Sequence, residues 1–431
     1  MLEIRPFRGI IYDKEKVGNI AGVTTPPYDV ISLMDQELYY SAHPNNIIRI
    51  ILGKDYPQDN ERGNRYTRAK GFLKEWLAKG ILKKEKKPAI YTYEKEYYGQ
   101  GNLGRRRGFL ALMKLEEFGK GVIFPHEETL PKPGLDRLRL LQWCRANFNP
   151  IFSLYSDPLY LVDKYLKTGE SLFEVIDRDG VKHRLGKVED IDIIKKICRA
   201  MQDKKLFLAD GHHRYNMALK FRDEERRRYD QSGNGRNFVL MYFLNMDNDA
   251  LSIFPVSRVI GNLKPSGIFR LKSKLKDLFH IERLELPLND KKKRAETIVS
   301  QLQKKEESIF AVYWGGSRCE LLTLKEEKKS FLSKVNTVVL DKLIKEVLAR
   351  DKLERGRDID FIKREEEAID LVQKKKYQLA FFLKSLSLKQ VKEVCLSGGK
   401  LPPKSTYFYP KPLSGVVTRD LDEEIWLYEP L

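Results

Sequence analysis

The 431-residue sequence predicts a mixed α/β protein that is α+β in its first third. Three observations predict it. In the stretch Lys205 to Leu219, the apolar run Leu206-Phe207-Leu208-Ala209 reads as a buried strand, and from Tyr215 apolar residues recur at helical spacing through Ala218 and Leu219. From about residue 156 to 265 strand and helix patterns alternate, the order of an α/β unit. Before that, strand-like runs follow one another with only a glycine-rich turn between them. Three segments follow: 1–155 as an α+β N-terminal domain, 156–265 as an α/β unit around the Asp210 turn, and 266–431 as an α/β C-terminal domain.

The first segment opens with Pro26-Pro27-Tyr28-Asp29-Val30, where two prolines exclude a helix interior or central strand and leave a rigid loop presenting Tyr28 and Asp29. This loop is either a plain turn or part of a site. Asn64 to Lys79 is amphipathic, with Phe72, Leu73, Trp76 and Leu77 on one face and Gly80 where a C-cap glycine belongs. Ala89 to Tyr98 and Arg107 to Leu115 read as a hairpin around Gly99 to Gly104. Phe124-Pro125-His126-Glu127-Glu128-Thr129 sets a histidine and two carboxylates just after an apolar strand, either as general-base candidates or as caps for a helix over 135–146. Ile151 to Leu154 is a further short strand.

In the middle segment a helix near Leu159 to Lys167 precedes a strand at Leu172 to Ile176, and a helix over Asp190 to Met201 leads into the strand before Asp210. The helix after the turn runs to Tyr229, Gly233-Asn234-Gly235 breaks the chain, and Phe238 to Leu244 is the next strand. Beyond 266 the alternation continues, with short buried strands at Ile359 to Phe361 and Leu379 to Leu383 flanking a helix over Glu366 to Lys375. Near the end, Lys404-Ser405-Thr406 matches the close of a P-loop, but Pro403 stands where its second glycine belongs and has no N–H to offer a phosphate. A Walker fold is therefore excluded. Three lysines, the hydroxyls of Ser405 and Thr406 and three aromatics in the proline-stiffened stretch Gly398 to Lys411 still suit an anionic ligand.

A net charge of +19 favours anionic partners such as nucleotides, phosphorylated metabolites, nucleic acid or an acidic membrane surface. Many lysines alternate with glutamates along helices, as expected of solvated surface. Cys144, Cys198, Cys319 and Cys395 are widely spaced and read as separate reduced thiols. With no signal-like start and no apolar run near the ~20 residues of a membrane span, a cytoplasmic location is expected.

The polar turn itself carries chemistry. A strand ending in Asp210-Gly211 that opens a helix with His212-His213-Arg214 sets donors where the first helical N–H groups are unpaired and attract anions. Asp210 either caps the helix or holds a divalent cation beside a phosphate. His212 and His213, adjacent on a helix and about 100° apart, cannot together ligate one zinc ion as an i, i+4 pair does.

The Asp210-Gly211-His212-His213-Arg214 pentapeptide resembles the signature of free-serine kinases built on the ParB/sulfiredoxin-like fold, in which this turn binds nucleotide phosphates. Nearly the whole chain resembles domain-of-unknown-function family 1015. That likeness is carried by Arg5-Pro6-Phe7-Arg8, Pro26 to Val30, His43-Pro44, Arg107-Gly108-Phe109, Pro125-His126-Glu127 and Lys404 to Lys411, in that order. The resemblance implies a ParB/sulfiredoxin-like nucleotide-binding unit embedded in a larger mixed α/β protein.

The expected function is a small-molecule phosphotransferase, a nucleotide- and magnesium-dependent kinase of a hydroxyl such as that of free L-serine. On the likeness to the kinases, Gly211, His212, His213 and Arg214 bind the phosphates of ATP or ADP. From the residues themselves, Asp210 orients Mg2+, Glu127 or His126 takes the acceptor proton, and Asp210 and His212 complete the catalytic set. Tyr28, Asp29, Lys404, Ser405, Thr406 and Lys411 are the substrate-binding candidates. Two other readings stay open: a ParB-like nucleic-acid-binding protein, with affinity falling steeply with salt, and a non-catalytic nucleotide or metabolite sensor.

Overall fold

The computed structural model describes residues 1–425 except 100–101, 129–130, 168, 229–233, 249–250, 288–289, 306–308, 326–334, 349–353 and 355. Thr129, the tip of the 99–104 turn, Tyr229 and Gly233 lie outside the described residues. The chain forms two compact units, the first from residues 1–125, 129–252 and 410–431, the second from 126–128 and 253–409.

The first unit is built on a nine-stranded mixed sheet. In chain order its strands are β1 (Ile4–Arg5), β2 (Ile90–Gly99), β3 (Asn102–Lys114), β4 (Ile123–Phe124), β5 (Ile151–Tyr155), β6 (Glu170–Ile176), β7 (Lys182–Val188), β8 (Leu206–Asp210) and β9 (Phe238–Asn245). Across the sheet they run β4-β8-β5-β9-β3-β2-β7-β6, with β1 beside β3. The expected break at residue 155 is therefore absent, because β2 and β3 from before it and β8 and β9 from after it share one hydrogen-bonded sheet. Among the described residues five helices of ten or more residues accompany the sheet: α1 (Leu33–Ala42), α2 (Arg65–Ala78), α3 (Pro131–Cys144), α4 (Ile191–Met201) and α5 (His212–Arg228). Asn64 caps α2 through the N–H groups of Tyr66 and Thr67, and Gly80 takes the left-handed conformation expected of it, φ +66°. The helix expected over 159–167 is only Asp163–Leu166, and α5 opens with His212-His213-Arg214 as expected.

Side chains alternate across a strand, so the two faces of this sheet differ. One face buries Phe109, Ala111, Met113, Leu208, Met241 and Phe243 against Ile194, Ile197 and Met201 of α4 and Tyr215 and Ala218 of α5. Full burial of each large apolar side chain is worth about 1.5–3 kcal/mol, which makes this layer the main source of the unit's stability. The opposite face is aromatic and polar: Tyr93, Lys95, Phe152 and Tyr242 are all buried there. Gly108 makes room for it, since a Cβ at that position would lie 2.8 Å from the Tyr242 ring and 2.2 Å from the Phe243 carbonyl.

The second unit holds a six-stranded antiparallel sheet. Its strands are β10 (Ser257–Ile260), β11 (Phe279–Glu285), β12 (Ile309–Gly315), β13 (Arg318–Leu324), β14 (Ile359–Ile362) and β15 (Leu379–Leu383), in spatial order β11-β13-β12-β15-β10-β14. Apolar clusters cover both faces, one around Ile298, Tyr313 and Phe382 and one around Leu275, Leu340 and Phe381. Ile309 to Leu324 forms the β12–β13 hairpin, turned by Gly315 and Gly316 at positive φ.

Candidate functional site

The Asp210 turn is shaped by a β-bulge. Pairing of β8 with β5 runs Phe207 to Leu154 and Leu208 to Ser153, then slips so that Asp210 faces Phe152. Uninterrupted alternation would give Asp210 the same face as Leu208, inside the apolar core. The extra residue, Ala209, turns Asp210 to the aromatic and polar face that carries Phe152 and its neighbour Tyr242. Gly211 follows at φ +97°, and a Cβ there would sit 2.9 Å from Arg214 Nη2. Glycine thus lets the Arg214 side chain fold back over the turn. Its Nη2 pairs with Asp210 Oδ2 at 2.7 Å, and its Nη1 donates to the carbonyls of Asn149 (3.0 Å) and Pro150 (2.6 Å). His212 is buried and His213 half-buried at the start of α5.

Two residues distant in sequence complete the cluster. Lys411 Nζ pairs with Asp210 Oδ1 and, at 2.9 Å, with Asp29 Oδ2. Burial pulls the Lys411 ammonium down, but Asp210 and Asp29 outweigh it and raise it above the ordinary lysine range. Asp29, Lys411, Asp210 and Arg214 so form a chain of alternating charge. Tyr28, on the short 3-10 turn Tyr28–Val30, lies with its ring 3.9 Å from the Arg137 guanidinium, and burial pushes its phenol up against the pull of that cation. Beside Arg137 and Arg214 lies a cavity of about 50 Å³, also lined by Asn147, Phe148, Asn149 and Met217. At roughly 10–15 Å³ per water by this measure it admits a few waters or a small group, not a nucleoside.

A second group of candidates gathers in the second unit. His126 Nε2 and Thr406 Oγ1 are 2.8 Å apart, and the His126 ring meets Phe408 edge-on. Glu127 bridges to Leu401, whose N–H donates to the His126 carbonyl (2.7 Å) and whose carbonyl accepts from Glu128 N (3.1 Å). Lys404 is held at φ +62°, and Ser405 Oγ donates to the Pro402 carbonyl at 2.7 Å. The substrate-binding candidates of the stretch 404–411 are divided: Lys404, Ser405 and Thr406 belong to the second unit and Lys411 to the first.

Among the buried cations that sequence reasoning missed are Arg258 and Lys95. Arg258 on β10 is pulled down to about 10 by burial, with Asp341 and then Glu127 opposing, so the Glu127 carboxylate has a cation in its field. Lys95 on β2 is wholly buried among Tyr242, Phe152 and Tyr93, where burial drives its amine well below the usual lysine range. The available signal was a basic residue inside an otherwise strand-like run.

The metal role expected of Asp210 does not fit this geometry. Magnesium takes one or two carboxylates together with phosphate oxygens and waters. Both Asp210 oxygens are already engaged, one by Arg214 and the other by Lys411. Among the described residues no group of three or more His, Cys, Asp or Glu is arranged to hold a metal ion. No helix among them is long and apolar enough to cross a membrane.

No curated protein matches the sequence. Among solved structures, a free serine kinase in complex with AMP is 15% identical at a TM-score of 0.40, over 74% of this chain and 93% of that one. A conserved hypothetical protein from Pyrococcus furiosus is 14% identical at 0.39, over 73% and 97%. C-terminally truncated SbnI from Staphylococcus aureus is 11% identical at 0.37, over 71% and 85%. Likeness at this distance bears on neither ligand nor reaction. The family described as "Protein of unknown function (DUF1015)" is another matter: its profile matches residues 4–343, well over half of the sequence, and the chain belongs to that family.

Proposed function

We propose that the protein is a small-molecule phosphotransferase that takes a phosphoryl group from ATP or ADP and gives it to a hydroxyl such as that of free L-serine. The observation that carries this reading is the convergence of Asp29, Asp210, Arg214 and Lys411 at the N-terminus of α5. A helix of 17 residues presents a positive dipole end there, with His212, His213 and Arg214 in its first turn. Asp29 and Asp210 hold the two cations at fixed positions, so that charge-stabilising groups need no reorganisation when a phosphate arrives.

In this reading Gly211 and the N–H groups of His212 to Arg214 cradle the phosphates. The acceptor hydroxyl releases its proton to water as its oxygen attacks. The acceptor oxygen attacks the terminal phosphorus, a new P–O bond forms, and the bond to the leaving nucleotide breaks with its electrons on the nucleotide oxygen. Positioning and charge neutralisation supply most of the catalysis, as phosphoryl transfer requires.

Thermal melts with ATP, ADP, serine and short duplex DNA test the binding half. Stabilisation by a nucleotide that is lost in His213→Ala upholds the reading. Stabilisation by DNA alone, falling steeply with salt, replaces it with a nucleic-acid-binding function.

A further inference from the structure

The chain from Pro410 to Ser414 forms a strap within the first unit and is tied at both ends. Lys95 Nζ donates to the Pro410 carbonyl at 2.7 Å, and Leu413 N–H donates to the Tyr93 hydroxyl at 3.2 Å. Ser414 N–H donates to the Thr25 carbonyl (2.7 Å) and its hydroxyl to the Pro26 carbonyl (3.1 Å). The last two bonds join the strap to the loop that carries Asp29. Lys411 stands between these anchors with its side chain 8% exposed, and its ammonium meets Asp29 and Asp210, themselves 22% and 15% exposed. A pair of half-buried carboxylates so close to one point is strongly unfavourable without a cation, and hard divalent ions select that kind of donor.

We propose that Lys411 is the resident cation of the Asp29–Asp210 pair: its ammonium occupies the position a divalent metal would take and keeps metal off these carboxylates in the working protein. A lysine ammonium is a compact charge with three N–H donors, enough to serve both carboxylates at once. The anchors at Lys95, Tyr93 and Thr25 fix the strap, so the charge is delivered by the fold and not by solution conditions. Within the phosphotransferase reading, on which only this consequence rests, any divalent ion used in turnover arrives on the nucleotide's own phosphates without Asp210 as a ligand.

The test is a set of thermal melts of the full chain, without nucleotide, in chelator and in millimolar MgCl2 or MnCl2. Wild type is expected to melt at the same temperature in all three. Lys411→Met is expected to melt lower in chelator and to recover by several degrees with Mn2+ or Mg2+, as the uncovered pair takes the ion. That recovery is expected to vanish in the double variant Asp29→Asn with Lys411→Met. Folded Lys411→Met with no metal response overturns the proposal, and so does a wild-type metal stabilisation that Asp210→Asn abolishes. Should Lys411→Met yield no folded protein in chelator, wild type against Asp210→Asn decides: equal metal responses uphold the proposal, a response in wild type alone overturns it. With no nucleotide present, the outcome is independent of whether the protein is a kinase.

Discussion

Asp210 lies across from Phe152, one place off the register that the preceding pairs of β8 and β5 set up. That slip decides the chemistry of the turn. In register, Asp210 would follow Leu208 into the apolar core as a buried carboxylate without a cation, a cost of several kcal/mol. Bulged, it meets Arg214 and Lys411.

The two ends of the charge chain are predicted to differ in stability cost. Asp29→Asn leaves Lys411 paired with Asp210 and is expected to cost on the order of 1–3 kcal/mol. Lys411→Met removes the cation between Asp29 and Asp210, leaving Asp210 with Arg214, and is expected to cost about 3–5 kcal/mol. Urea unfolding of both variants checks the order; a Lys411→Met loss smaller than that of Asp29→Asn contradicts the cluster as described.

Gly211→Ala is predicted to act on the turn twice over. An L side chain at φ +97° costs ~1–2 kcal/mol in backbone strain. Its Cβ also pushes the Arg214 guanidinium off Asp210. Melts should show a lower Tm, and any nucleotide-dependent stabilisation should shrink further than that of Asn64→Ala. The latter removes the cap of α2, away from the turn, and should cost about 1 kcal/mol with binding unchanged.

Lys95 predicts a pH dependence. Its amine is depressed in the fold by burial and then by Arg106, so between the folded pKa and the ordinary lysine value the unfolded chain binds more protons. This residue's contribution to stability therefore rises with pH through that window. Lys95→Met lacks the titration, so its stability relative to wild type should be highest at neutral pH and fall as pH approaches that of free lysine. Paired urea titrations across the neutral to alkaline range check this; a difference independent of pH contradicts a depressed Lys95.

What the sequence made legible was local. The run Leu206 to Ala209, the amphipathic α2 with Gly80 at its C-terminal end and the buried strands β14 and β15 all announce themselves within a few residues. Helix α1 did not, because Leu33 and Met34 are 84% and 74% exposed and blur the periodicity, although Ser32 and Asp35 form a capping box. The bulge at Ala209 was hidden since register belongs to a pair of strands. The Lys411–Asp29 contact joins residues 382 positions apart, and no local pattern encodes it. The same distance effect hid the return of residues 410–425 to the first unit.

The most direct test of the phosphotransferase reading is mass-spectrometric detection of phosphoserine after incubating the purified chain with serine and either ATP or ADP, in parallel with Arg214→Met. The account predicts phosphoserine from wild type with one of the two nucleotides, and at least a ~100-fold loss in Arg214→Met, the size of effect that removing one charge-stabilising donor has. No product with either nucleotide, together with no nucleotide-dependent change in Tm, would contradict it.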